Sequence, residues 1–314
     1  MSDLLSAEQL AARISSGQPL RDLLLAGGDY RAMDLRQARF ERVDARGALF
    51  AQADINGTTW VECQLQGADF SGCVAQSFAM TDCILDQVSF RGATLGGRWL
   101  RCSGQGLVFT QACLKRLELI AAHFKQPVLK GAQVQSCQWT DCTLEDLDAT
   151  QVECKQSRFI GCRLESARFA GADLQQCAFD ESHLSGADFS AIVSTSTSFY
   201  RCQGENLLLR QAHLNKAIFS QVRFPSADFT EARLDMANFN QADVQASLFV
   251  RASLQYTSCR QLIANGCSFV GADLTGADFH DAKLLNCDWL QANRDAIRPV
   301  DSERLAAQCW APAV

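Results

Sequence analysis

Residues 271–279 read GADLTGADF, which is two copies of a five-residue unit with Ala two positions before a large apolar residue. Large apolar residues return at this spacing along most of the chain. The central residues of successive units include Leu35, Phe40, Phe50, Ile55, Trp60, Leu65, Phe70, Leu119, Phe124, Leu129, Phe269, Leu274, Phe279, Leu284 and Trp289. All but one of the 19 Phe residues lie at a central position, and the exception is Phe78. The chain is therefore a long internal repeat.

The two patterned positions of each unit face a dry interior. No central residue is charged, and Arg98 is the one charged residue assigned to the position two before a centre; an unpaired buried charge is very costly. The other three positions are mostly polar and face water. A period of five matches neither a helix nor a regular strand. It indicates a short extended piece followed by a turn. Four such units can close a coil of about 20 residues, and coils would stack at the usual strand spacing of about 4.8 Å.

The repeated units resemble the pentapeptide-repeat family, whose consensus is A-[DN]-[LF]-x-x. The residues that carry the resemblance recur in phase, as in Gly67-Ala68-Asp69-Phe70, Gly171-Ala172-Asp173-Leu174, Gly186-Ala187-Asp188-Phe189 and the stretch 271–279. The resemblance implies an all-β fold, a right-handed quadrilateral parallel β-helix of about 13 stacked coils with short terminal helices. We assign the coils to residues 27–291.

The two ends have a different pattern. Residues 1–26 form a predicted N-terminal helical cap, in which Ser6 and Gln9 have the spacing of a capping box. Residues 292–314 form a C-terminal tail with a short helix predicted over 301–309. Either helix covers an open end of the β-helix or makes a homodimer or partner contact.

The repeat slips by one residue near 97–108, because Leu100 and Phe109 are nine residues apart rather than ten. Four glycines between residues 96 and 106 permit unusual backbone angles. We expect a bulge, kink or small loop here, either as a tolerated deletion or as a recognition site.

Composition excludes several classes of protein. The formal net charge of −6 argues against a protein built to hold nucleic-acid phosphates. No stretch reaches the roughly 20 apolar residues of a membrane span, and the N-terminus lacks the layout of a signal peptide, so we expect a cytoplasmic protein. Most of the 15 cysteines lie in the small inward position, where Cys acts as a buried hydrophobe rather than as a disulfide partner or nucleophile.

The sequence offers no catalytic, cofactor or metal site. Glycine-rich phosphate loops are absent, and the four histidines fall too far apart in the repeat to share a metal. Asp often precedes the centre, where its short side chain can bond the backbone of a turn. We therefore expect no enzyme.

The outward residues remain as candidates for an interaction surface. Glu145, Glu165 and Glu205 are predicted to lie on one face, with Asp146 beside them. Positive residues share that face, so solvated surface is the alternative. Trp99 and Arg101 lie near the slip, where an apolar or mixed patch would suit a protein partner.

These features predict a rigid, non-enzymatic scaffold or adaptor that binds protein partners. The family resemblance also implies an alternative, since some members modulate DNA gyrase or topoisomerase IV by resembling DNA. The N-terminal segment SAEQLAARISSGQPL is similar to pentapeptide-repeat proteins associated with bacterial type VI secretion, which implies an accessory role there. A secreted effector is a third possibility, and the sequence does not separate the three.

Overall fold

The computed structural model describes residues 4–298, in two compact units that meet in the chain between Asp173 and Leu174. The helix predicted over 301–309 lies outside these residues. Between residues 4 and 298, no helix is long and apolar enough to cross a membrane.

The first unit contains one helix and thirteen short strands: α1 (Ala7–Ser15), β1 (Leu20–Arg21), β2 (Arg39–Glu41), β3 (Thr59–Val61), β4 (Val74–Thr81), β5 (Thr94–Leu100), β6 (Ser103–Gln105), β7 (Cys113–Ile120), β8 (His123–Lys125), β9 (Gln133–Gln135), β10 (Gln138–Thr140), β11 (Thr143–Glu145), β12 (Glu153–Lys155) and β13 (Arg158–Ile160). The second unit contains β14 (Val193–Thr195) and β15 (His213–Asn215). The remaining coil sides are joined by single parallel bridges.

Each unit is a parallel β-helix with four sides. In the first unit the four sides are set by the pairs Leu24↔Asp44, Asp29↔Leu49, Asp34↔Asp54 and Arg39↔Thr59. In the second unit they are set by Ala178↔Ser198, His183↔Gln203, Asp188↔Leu208 and Val193↔His213. All these pairs are parallel and one coil apart. The predicted all-β fold is therefore confirmed.

At most corners the backbone turns through a residue with positive φ, two positions after the centre; the corner at Ser77, inside β4, is an exception. Gly27 and Gly47 do this with φ of 69° and 63°, and non-glycine residues such as Gln52 do it with φ of 61°. This conformation costs a non-glycine residue roughly 1–2 kcal/mol. Hydrogen bonds to the next coil offset the cost; the corner N–H of Gln52, for example, donates to the carbonyl of Ser71 at 2.9 Å.

The core consists of columns of aromatic and aliphatic side chains in register along each unit. Phe50, Phe70 and Phe90 stack nearly parallel in the first unit, with ring centroids 4.8 and 5.3 Å apart. Phe199, Phe219 and Phe239 do the same in the second unit, at 5.0 and 4.7 Å. Such columns form because each coil places the same position of the repeat above its predecessor.

The register slip lies at Gly96 and Gly97, at the N-terminal edge of the predicted stretch. Ala75 pairs with Leu95 and Leu95 with Leu114, but Phe78 pairs with Gly97 and Gly97 with Leu117. The coil that contains Leu95 is thus one residue shorter than both of its neighbours. The apolar pattern did not place the slip more closely because Leu100 is apolar and also fits a spacing of five from Leu95.

Because the slip lies at Gly96 and Gly97, the residues that point inward after it differ from those that were predicted. Trp99 is the central residue and is completely buried, whereas Leu100 points outward and is half-buried. Arg98 is exposed, and Gly97 with φ of 111° takes the inward position that had been assigned to Arg98. Phe78, the one Phe outside the central positions, is buried in the inward slot that pairs with Gly97.

The coil register extends beyond the predicted boundaries at both ends. Leu20 pairs with Phe40 and Leu4 with Leu24, so coil structure begins before residue 27. At the other end Asp278 pairs with Arg298, beyond residue 291. Backbone hydrogen bonds define the first and last residues of the coils, and the apolar pattern of the sequence does not predict these bonds.

Helix α1 occupies part of the first coil. Its N-cap is Ser6, and both bonds of the capping box with Gln9 are present, at 2.9 and 3.2 Å. Leu10 is completely buried, and the Tyr30 hydroxyl donates to the carbonyl of Leu5 at 2.6 Å. The chain between the bridged residues Leu4 and Leu20 is therefore helical where a regular coil would place two more sides.

None of the cysteines between residues 4 and 298 forms a disulfide, and most are buried. Cys63, Cys83 and Cys102 occupy the same inward position of successive coils. The Cys63 thiol donates to the carbonyl of Val61 at 3.3 Å. These contacts support the interpretation of Cys as a small core residue.

Candidate protein-binding surface

The aspartates that precede a centre stabilise the turns, as predicted. The Asp29 carboxylate accepts a hydrogen bond from the backbone N–H of Arg31 at 3.2 Å, and Asp69 accepts one from Ser71 at 2.9 Å. In the first coils the same carboxylates also pair with arginines. The Arg31 guanidinium lowers the pKa of Asp29 to about 2, and the backbone bond acts in the same direction.

Arginine partners compensate much of the negative charge of the first unit. The Arg42 guanidinium donates to both carboxylate oxygens of Asp22, at 2.9 and 2.8 Å. Arg101 binds Asp82 in the same two-bond arrangement, at 2.8 and 2.7 Å, and lowers the pKa of Asp82. Arg101, predicted as a surface residue, is indeed exposed, with one face committed to this pair.

The predicted acidic patch has mixed charge. Glu145 pairs in register with Lys125, and the Glu165 carboxylate lies 3.2 Å from Arg163. Asp146 is exposed at a corner, and its N–H donates to the carbonyl of Glu165 at 3.4 Å. Opposite charges therefore alternate around Glu145 and Glu165.

Glu205 belongs to the second unit. Its side chain is exposed, and its backbone N–H donates to the Ser185 hydroxyl at 3.3 Å. The single acidic row that was predicted to join Glu205 to Glu165 stays a prediction.

Trp99 cannot contribute to an interaction surface, and that prediction was wrong. Its ring lies among Phe78, Phe90 and Phe109, with centroids 5.7, 5.2 and 6.0 Å away. The one-residue shift of the slip turns Trp99 inward and Leu100 outward.

A row of apolar residues lies on the side of the first unit that is formed by β1, β2, β3, β10 and β13 and by the C-terminal parts of β4, β5 and β7, which we call the strand face. The residue after each centre on this side is apolar or Thr through six successive coils. These half-buried residues form the apolar row: Val61, Thr81, Leu100, Ile120, Thr140 and Ile160.

Sequence reasoning missed the apolar row because it sorted the charged outward residues by face but not the apolar ones. Only one unit in four contributes to this side of the coil, so polar residues of the other three sides hide the pattern. Sorting outward residues by coil position would have shown it, once the slip was placed at Gly96. The row is flanked by charged residues, of which Arg98 lies 3.8 Å from Glu118.

The described residues contain no cluster of three or more His, Cys, Asp or Glu side chains that could hold a metal ion. Of the histidines, His123 makes a hydrogen bond through Nδ1 to the Thr143 hydroxyl at 3.2 Å. It lies in a shallow depression beside Lys125 and Arg163.

Solved structures with some likeness include QnrB1, a plasmid-mediated fluoroquinolone resistance protein, at 22% identity and a TM-score of 0.33. That alignment covers 60% of this chain and 82% of QnrB1. HetL, a pentapeptide repeat protein involved in heterocyst differentiation regulation from the cyanobacterium Nostoc sp. strain PCC 7120, has 15% identity and a TM-score of 0.24 over 92% of this chain and 94% of HetL. No curated protein matches the chain.

Family models match directly. The pentapeptide repeat region model matches residues 132–209, and the model of eight pentapeptide repeats matches residues 63–97, 208–245 and 252–288. Together these matches cover more than half of the 314 residues. With the four-sided coils described above, they establish that the chain belongs to the pentapeptide-repeat family.

Proposed function

We propose that this protein is a non-enzymatic scaffold that binds a protein partner through the strand face of its first unit. The apolar row carries the proposal. Six apolar or Thr side chains in successive coils make a strip roughly 24 Å long at the usual strand spacing. Contiguous exposed apolar surface with a polar rim is typical of protein interaction sites.

The strand face is also suited to a partner because its backbone is fixed. Val61, Thr81 and Leu100 belong to strands that are hydrogen-bonded to a neighbouring strand on both sides. Little backbone conformational entropy therefore remains to be lost on binding. Arg98 and Glu118 beside the row supply polar contacts of both signs. A standard interface buries about 800 Å² on each partner, so these flanking residues must join the row.

Affinity capture with matched surface variants tests this proposal. The double variant Leu100→Asp/Ile120→Asp places two charges in the apolar row. The control is Val74→Asp/Ile84→Asp, which alters two exposed apolar residues of the same unit outside the row. Mass spectrometry should identify proteins that the native chain and the control capture and the row variant does not. Equal capture by all three folded proteins would refute the strand face as the binding site.

Modulation of DNA gyrase or topoisomerase IV is the alternative that the family resemblance implies. A duplex mimic needs dense negative charge, since DNA carries one charge per about 1.7 Å of axis. The arginine partners of Asp22, Asp29 and Asp82 reduce that charge in the first unit. We therefore expect no effect on gyrase supercoiling; inhibition or protection in that assay would favour the alternative.

The link to a secretion apparatus or to secreted effectors stays a prediction from the N-terminal resemblance. Recovery of secretion components in the same capture experiment, with loss in the row variant, would support it. A homodimer through a terminal helix is tested by light scattering of the native chain and of a chain that lacks residues 1–15.

A further inference from the structure

The short coil leaves a depression on the surface of the first unit. Gln76 and Ser77 in the coil before, and Lys115 and Arg116 in the coil after, face Gly96, because the short coil lacks one corner residue. The resulting cavity has a volume of about 520 Å³ and is lined by these residues and Ser136 among others. We call it the notch.

The floor of the notch is kept open by glycine. A Cβ atom on Gly96 would lie 2.6 Å from the carbonyl oxygen of Lys115 and 2.9 Å from that of Gln76. Both contacts are with backbone, so neither neighbour can move away cheaply. Asn56 holds the adjacent wall, because its side-chain oxygen accepts from the backbone N–H groups of Gln76 and Ser77 at 3.1 and 3.2 Å. The cavity is therefore a fixed feature of the fold.

The notch is cationic and has no internal counter-charge. Lys115 and Arg116 line it, no Asp or Glu does, and neither cation forms an ion pair with any carboxylate between residues 4 and 298. The surrounding coils are basic, although the whole chain is acidic. Residues 91–130 contain one acidic residue, Glu118, and these basic ones: Arg91, Arg98, Arg101, Lys115, Arg116, Lys125 and Lys130.

The positive charge of the notch is confined to one coil, which limits the size of an anion that can bind. Gln76 and Ser77 line the notch from the coil before, and Gln135 and Ser136 line it from the coil after Lys115 and Arg116. A long polyanion such as duplex DNA would meet no further cation among these lining residues. A compact group would meet only the lysine, the guanidinium and the neighbouring hydroxyl and amide donors.

We propose that the notch is a binding site for a single phosphoryl group, either free in a small molecule or carried on a phosphorylated side chain. The planar guanidinium of Arg116 and the ammonium of Lys115 suit a phosphoryl group with several acceptor oxygens. Ser77 and Ser136 add hydroxyl donors to the walls. This site is separate from the apolar row and does not depend on the proposed function.

Titration calorimetry with two probes tests the site and distinguishes the sources. The probes are inorganic phosphate and a phosphoserine hexapeptide, with the unphosphorylated peptide as reference. The variant is Lys115→Gln/Arg116→Gln. The control, Lys125→Gln/Lys130→Gln, removes the same charge from the same basic stretch outside the notch. We expect the notch variant to weaken binding at least roughly tenfold, which corresponds to about 1.4 kcal/mol, and the control to change it little.

Binding of either probe, or of both, supports the site if only the notch variant loses that binding. Which of the two probes binds identifies the source of the phosphoryl group. Equal losses in the two variants would show general attraction to the basic stretch and overturn the proposal. Absence of binding of both probes to the native chain would overturn it as well.

A second variant tests the geometry without removing charge. Insertion of one Gln between Gly96 and Gly97 restores the coil to the length of its neighbours and fills the corner. Lys115 and Arg116 remain, yet we expect binding to be lost. A folded insertion variant that still binds inorganic phosphate or the phosphopeptide would show that the notch is not the site. Should the insertion not fold, the two charge variants decide the question.

Discussion

Trp99 and Leu100 are neighbours in the chain, but only Trp99 packs in the core. The indole contacts three aromatic rings and is fully buried, while Leu100 belongs to the outward apolar row. The shift of one residue at Gly96 and Gly97 decides which of the two is inside. Energetic consequences of substitution should therefore differ sharply between these adjacent positions.

Trp99→Ala should lower the free energy of unfolding by about 3–5 kcal/mol, because it leaves a large cavity. Leu100→Ala is the matched control and should cost about 1 kcal/mol or less, since its side chain is only half-buried. Urea unfolding followed by circular dichroism measures both. Equal losses, or a larger loss at Leu100, would contradict the register of this coil.

Single-residue detail was the part of the fold that the repeat pattern predicted least well. The apolar residues Leu95, Leu100 and Phe109 showed that one residue was missing but not where, because both Trp99 and Leu100 can serve as a centre. The decisive information is steric. Gly97 takes φ of 111°, and a Cβ there would lie 2.4 Å from the Phe78 carbonyl oxygen, so only these glycines accommodate the shorter corner.

Among the elements, helix α1 stands apart because it replaces part of a coil. Its capping box follows directly from the spacing of Ser6 and Gln9, so the start of the helix was predictable. The pairing of Leu4 with Leu24 was not, because a single bridge has no sequence signature. Leu10 is the one residue of the helix that is buried.

Leu10→Ala should destabilise the first coils by about 2–5 kcal/mol, and this effect should be local. Hydrogen exchange should show faster exchange of amides such as those of Tyr30 and Leu49, with no change in the second unit. Glu8→Ala alters an exposed residue of the same helix and should leave the pattern unchanged. Uniform loss of protection through both units would argue against a local role for α1.

At the scale of the whole molecule, the buried thiols make stability depend on pH. Burial raises the pKa of Cys73, Cys259 and Cys267 to about 12 and that of Cys137 to about 11. In the unfolded chain a thiol titrates near 8.5. Below that pH both states are protonated and stability is complete. Above it the unfolded chain releases protons first, so each thiol costs about 1.4 kcal/mol per pH unit until its folded pKa is reached.

The urea concentration at the unfolding midpoint should therefore decrease as the pH is raised from 8 to 10. The variant Cys73→Ala/Cys137→Ala/Cys267→Ala keeps a small residue in each inward slot, where Ala is common in other coils, and should show a shallower fall. Parallel curves for the two proteins would mean that these thiols do not couple to folding in this range.

The general architecture could be predicted because every coil repeats the same solution to the same packing problem. The spacing of Phe and Leu predicts the core positions, and the family resemblance implies the coil of four short sides that the structure has. The surface follows no such rule. Lys125 and Arg163 lie beside Glu145 and Glu165, so that patch is not acidic overall. The apolar row became visible only when the outward apolar residues were sorted by side.

The step of 20 residues between paired positions, which holds outside the short coil, restricts how such a chain can change its length. A tandem duplication of twenty codons adds a complete coil, keeps all four corners in place and extends every surface row by one residue. A duplication of five, ten or fifteen residues keeps the core but moves each downstream row to another side, and a length that is not a multiple of five turns core residues outward. The corner at Gly96 and Gly97 is an exception that two glycines made tolerable. The length of such a chain is therefore expected to change by whole coils. A partner that binds along one row of side chains gains or loses one contact residue with each coil.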